Sequence, residues 1–90
     1  MTVFLITYDL NKETVRPKIV DKIKDFGSWA RLSESSYAVD TTLTSDQVYD
    51  RFKQILDSND HLLVIRLSKP WCGRNSQEVI DWLTPRLLSQ

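Results

Sequence analysis

The chain opens on a strand that a one-sided sheet cannot accommodate. VFLITYDL, residues 3 to 10, is rich in β-branched and aromatic side chains and almost continuously apolar, the composition of a central strand covered on both faces. With the strand period of two, Phe4, Ile6, Tyr8 and Leu10 share one face, and Val3, Leu5, Thr7 and Asp9 share the other. Both faces need cover, and the rest of the chain has to supply it. Asp9 interrupts the run at its C-terminal end, where a rigid strand can hold a side chain at the edge of solvent, although an Asp there is also a common turn or cap residue.

From about Asn11 or Thr14 to Phe26, Val15, Ile19, Ile23 and Phe26 recur at spacings of four, four and three, which predicts an amphipathic helix. Pro17 fits the first turn of that helix, and Gly27 fits its C-terminal cap. SWARL and SYAVDTT, separated by Ser33 and Glu34, predict two strands joined as a hairpin. Thr44 and Gln47 have the capping-box spacing, and Val48, Phe52, Ile55 and Leu56 extend a second helix to about Ser58. HLLVIRL, residues 61 to 67, follows as a fourth strand. SKPWCGRN, residues 68 to 75, predicts a loop. Asn75 and Glu78 then cap a short last helix carrying Val79, Ile80 and Leu83, which is expected to stop before Pro85.

The order βαββαβ with right-handed crossovers predicts an α+β, ferredoxin-like fold. It has an antiparallel four-stranded sheet, two helices on one face and an appended C-terminal helix. The 90 residues are read as one domain, with a core at about 3–67 and a C-terminal loop and helix at about 68–88. The second sheet face is left for the C-terminal segment with Trp71 and Trp82, for another copy of the chain, or for both. A domain this small gains usefully from dimerisation, so a homodimer is expected.

Twelve Lys and Arg balance twelve Asp and Glu, so any nucleic-acid binding has to come from a local patch rather than from net charge. Lys12, Arg16, Lys18 and Lys22 offer such a stripe, with Arg66, Lys69 and Arg74 expected nearby, though such cations more often form a solvated helix face. The single cysteine, Cys72, excludes an intramolecular disulfide, and no Cys/His spacing suggests zinc. A reducing, cytoplasmic setting with no membrane span is expected. His61 beside Asp60 reads as a surface residue before it reads as a general base. Trp29, Trp71 and Trp82 read as core or interface before they read as base-stacking groups.

TVFLITYDLNKETVRPK resembles the N-terminus of the small CRISPR-associated protein that forms the dimeric hub of the spacer-integration complex, and of the related virulence-associated protein D family. The shared pattern is a hydrophobic strand, Tyr8-Asp9-Leu10, and a polar turn with a basic residue near Arg16. It continues in ARLSESSYAV, where Arg31, Ser35 and Tyr37 stand at positions like the family's, and ends at LLVIRL. The resemblance implies a phage-defence setting and a homodimer whose two Asp9 carboxylates share Mg2+ or Mn2+ in a metal-dependent nuclease. Lys12, Arg16, Arg31, Ser35 and Tyr37 would then contact RNA or double-stranded DNA. Hard carboxylate oxygens suit such an ion, and the ion can assist attack on a phosphodiester. The chain departs from the family pattern at Asn11, Glu13, Glu34 and Ala38. The competing expectation is a noncatalytic dimeric scaffold or protein-interaction module that uses its open sheet face and C-terminal helix.

Overall fold

The opening strand lies where its sequence requires, between two others. A computed structural model describes residues 1–88, in the order β1 (Thr2–Asp9), a 3-10 turn (Glu13–Val15), α1 (Arg16–Lys24), β2 (Trp29–Ser33), β3 (Ser36–Thr41), α2 (Ser45–Asp50), β4 (His61–Arg66) and α3 (Gln77–Leu87). The four strands form one antiparallel sheet in the order β2-β3-β1-β4. This is the ferredoxin-like βαββαβ arrangement with one added helix.

The hydrogen bonding of β1 alternates between its neighbours. The Tyr8 N–H donates to the Ser35 carbonyl at 3.0 Å, and the Leu67 N–H donates to the Val3 carbonyl at 2.9 Å. With the regular pairing registers on both sides, the even-numbered residues of β1 bond to β3 and the odd-numbered ones bond to β4.

Each face of the sheet has its own core. On one, Phe4, Ile6 and Tyr8 of β1 pack with Ile19 and Ile23 of α1 and with Val48 and Phe52. On the other, Val3 of β1 and Ala38 of β3 pack under Val79, Leu83 and Leu87 of α3. α3 thus covers part of the second face and leaves the β4 side of it open. There Leu63 is 62% exposed and Ile65 46%, aligned in register with Thr7 and Leu5.

Local chemistry accounts for most element ends. Pro17 sits in the first turn of α1, where its missing N–H is not needed. Gly27 follows with φ +85, a conformation that favours glycine, and its N–H donates to the Lys24 carbonyl. The Thr44 and Gln47 side chains form both bonds of a capping box at the start of α2.

Four boundaries differ from expectation. Regular α1 begins at Arg16 rather than near Thr14, after the single 3-10 turn. α2 ends at Asp50 rather than Ser58. Beyond it Phe52 bonds back to Tyr49 and Ile55 to Phe52 in successive turns, which bury the apolar stripe as well as a helix would. The cap of α3 is Ser76, whose hydroxyl accepts from the Val79 N–H at 3.3 Å. The Asn75 amide instead donates to the Leu32 carbonyl at 2.9 Å and ties the loop to β2.

α3 also does not stop before Pro85 but runs through it to Leu87. The Thr84 hydroxyl donates to the Ile80 carbonyl at 2.7 Å, and Arg86 Nη1 donates to the Trp82 carbonyl at 2.8 Å. Burial of Leu87, which is 2% exposed, holds the last turn against the sheet. Among the described residues, no helix is long and apolar enough to cross a membrane.

Candidate functional site

The residues singled out in the sequence gather mainly where β1 ends, beside the β2–β3 turn. Arg16 organises this corner from the first turn of α1. Its guanidinium takes Glu13 in two bonds, at 2.7 and 3.2 Å, and reaches the Glu34 carbonyl at 2.5 Å, the Tyr8 hydroxyl at 3.4 Å and the Ser35 hydroxyl. It also lies over the Tyr8 ring, 5.3 Å from the centroid. The Tyr8 hydroxyl donates to the same Glu34 carbonyl at 3.3 Å. One arginine thus ties β1, α1 and the hairpin turn together.

The electrostatics follow from these contacts. The Arg16 hydrogen bond holds the Glu13 carboxyl below its ordinary range, and Glu13 in turn raises the Arg16 guanidinium further. Burial pushes the Tyr8 phenol up, against the opposing pull of Arg16. A phosphate approaching Arg16 would have to displace Glu13 and three neutral oxygens, those of Tyr8, Glu34 and Ser35. The geometry makes this arginine a bracing group of the fold.

The other expected contact residues divide. Lys12 and Arg31 are exposed, and Ser35 is half-buried against Arg16. Tyr37 is 5% exposed, in the helix-side core with its ring 5.9 Å from that of Trp29. A ring so placed is packing, not a stacking platform for a base. Lys18 and Lys22 stand exposed on α1. Arg66 lies at the far end of the sheet from Asp9: its register partner is Phe4. The antiparallel return of β4 carries Arg66 to the opposite end of β1 from the corner where Arg16 meets the β2–β3 turn.

Asp9 is exposed on the second sheet face, as strand parity predicts, opposite His61 of β4. A shallow depression beside it is lined by Thr7, Tyr8, Asp9, His61, Leu62 and Leu63. Asp60 belongs to the turn instead: its carboxylate accepts from the Asn11 N–H at 2.7 Å and from the Asp57 N–H at 3.0 Å. Among the described residues, no three His, Cys, Asp or Glu side chains converge on a common point where an ion would sit. Within one chain Asp9 is a single hard carboxylate beside His61, and a Mg2+ or Mn2+ ion held there would draw its remaining oxygens from water or from a second chain.

Sequence reading missed two features. One is the pairing of Asp40 with Arg86, 3.3 Å apart, which pins the end of α3 to β3 while Arg86 stacks 4.2 Å from the Trp82 ring. The spacing of 46 residues between them left no local signal. The other is a hollow of about 220 Å3 between α3 and the 68–75 loop, walled by Leu32, Leu67, Trp71, Ile80 and Leu83. The apolar periodicity of α3 and the Trp in the loop were its visible traces.

The fold is similar to that of a hypothetical protein, TT1823, from Thermus thermophilus, known from a crystal structure. The match has a TM-score of 0.66 and 18% sequence identity, and it covers 83% of this chain and 94% of that one. At that identity the likeness carries the fold alone. No family model matches the chain, and no curated protein matches it.

Proposed function

We propose that this chain is a noncatalytic homodimeric scaffold, with the nuclease chemistry implied by its N-terminal resemblance as the reading it has to be tested against. The observation that carries the proposal is the uncovered apolar strip of Leu63 and Ile65 on the outermost strand of the sheet. Two large aliphatic side chains side by side on an edge strand favour contact with another chain over contact with water. α3 covers the rest of that face, so the open strip is confined to β4 and its neighbour.

The test has two parts. Sedimentation of the wild type across a concentration series is expected to show a monomer–dimer equilibrium. Wild type and Asp9→Ala are then compared on labelled RNA and double-stranded DNA with Mg2+, Mn2+ or EDTA. The scaffold reading expects no metal-dependent cleavage by either protein. Cleavage that requires the metal and disappears in Asp9→Ala would replace it with the nuclease reading. In the same assay, salt-sensitive retention of RNA or DNA identifies nucleic acid as what the scaffold carries, and no retention leaves a protein partner.

A further inference from the structure

We infer that the partner on β4 is a second copy of this chain, joined edge to edge across a two-fold axis at Val64, so that two four-stranded sheets become one of eight strands. The inference rests on the homodimer reading above and specifies its interface. It follows from which backbone groups point outward. Leu67 bonds to Val3, and the regular β1–β4 register makes Ile65, Leu63 and His61 the other residues that exchange bonds with β1. Leu62, Val64 and Arg66 therefore direct their N–H and C=O groups to the free edge, where no strand of the described residues pairs with them.

Only registers that pair residues of like orientation can use those groups, and one register uses all of them. Val64 then meets the partner's Val64, while Leu62 meets the partner's Arg66 at each end, every pair exchanging two bonds. In this register Leu63 falls beside the partner's Ile65, so the exposed apolar pair of each copy covers that of the other.

Charge complementarity selects the same arrangement. The N-terminal end of β4 lies among Asp9, Asp57 and Asp60, with His61 and Lys12 as the cations facing Asp60, whereas its C-terminal end carries Arg66 and Lys69. An antiparallel pair sets the acidic end of each copy against the basic end of the other. On the helix side, a groove beside the edge is lined by Asp46, Tyr49 and residues 62–64. The partner's Arg66, standing opposite Leu62, enters that groove and meets Asp46, with the Tyr49 ring beside it. Two copies of Asp9 then lie at opposite ends of the joined strands, too far apart to share an ion.

Amide hydrogen exchange by NMR tests the register in the unmodified protein. The amides of Leu62, Val64 and Arg66 are expected to exchange slowly at concentrations where the chain is dimeric and to become fast on dilution, while Leu63 and Ile65 stay slow throughout. A charge swap provides the second measurement. Arg66→Glu is expected to weaken the dimer by about tenfold or more, and adding Asp46→Lys is expected to recover most of the loss. A wild type that stays monomeric overturns both this inference and the homodimer reading. A dimer in which the three outward amides remain fast, and which Arg66→Glu leaves unchanged, overturns the edge pairing and leaves the homodimer standing.

Discussion

Asp60 illustrates how a residue's chemistry is set by what its backbone neighbours donate. Two N–H groups, from Asp57 and Asn11, hold its carboxyl below the ordinary aspartate range. A depressed folded pKa means stability that is present above the unfolded value and is lost as pH falls through the folded one. Asp60→Asn is therefore expected to lower the thermal midpoint at neutral pH. The gap to wild type should close as both are acidified below about pH 4, followed by circular dichroism melts across that range. The sequence placed Asp60 in a turn because Ser58-Asn59-Asp60 is turn chemistry, but its second donor, Asn11, is 49 residues away and left no trace. Arg16 shows the same limit. Periodicity put it at the start of a helix, which is right, but periodicity reports a face and not a partner, and Glu13, Tyr8 and the Glu34 carbonyl became visible only when β1 met the hairpin turn.

Among the elements, α3 departs most from local rules. A proline inside a helix removes one bond and crowds the carbonyl four residues back, here that of Asp81. The burial of Leu87 offsets that cost without removing it. Pro85→Ala is expected to stabilise the protein by about 1 kcal/mol, less than the interior helix penalty because the last turn is partly tertiary in origin, measured by urea denaturation. Strands and one of the two expected capping boxes were legible because each is written in a few adjacent residues: the Thr44 box formed as spaced, and the hairpin turn fell at Glu34 and Ser35, one residue beyond the expected Ser33 and Glu34, whereas the cap expected at Asn75 moved to Ser76. The ends of α2 and α3 were not, because Phe52 and Leu87 answer to the core, and a side chain can reach the core from a turn as well as from a helix.

For the whole molecule, the topology was legible because it follows from the order of two periods, 2 and 3.6, along the chain, and because β1 demanded cover on both faces. What the sequence left open was which of two candidates covers the second face. α3 takes the Val3 and Ala38 side, and Leu63 and Ile65 stay outside its reach. Removing residues 76–90 is expected to bare Val3 and Ala38 and to abolish the cooperative thermal transition, with strong binding of a hydrophobic dye. The alternation of β1 has an evolutionary consequence. Because its even residues bond to β3 and its odd residues to β4, while those same two sets line opposite cores, one inserted residue within Thr2–Asp9 would scramble partners and faces together. β1 is in this sense a reading frame inside the protein, its count of residues as consequential as their identity.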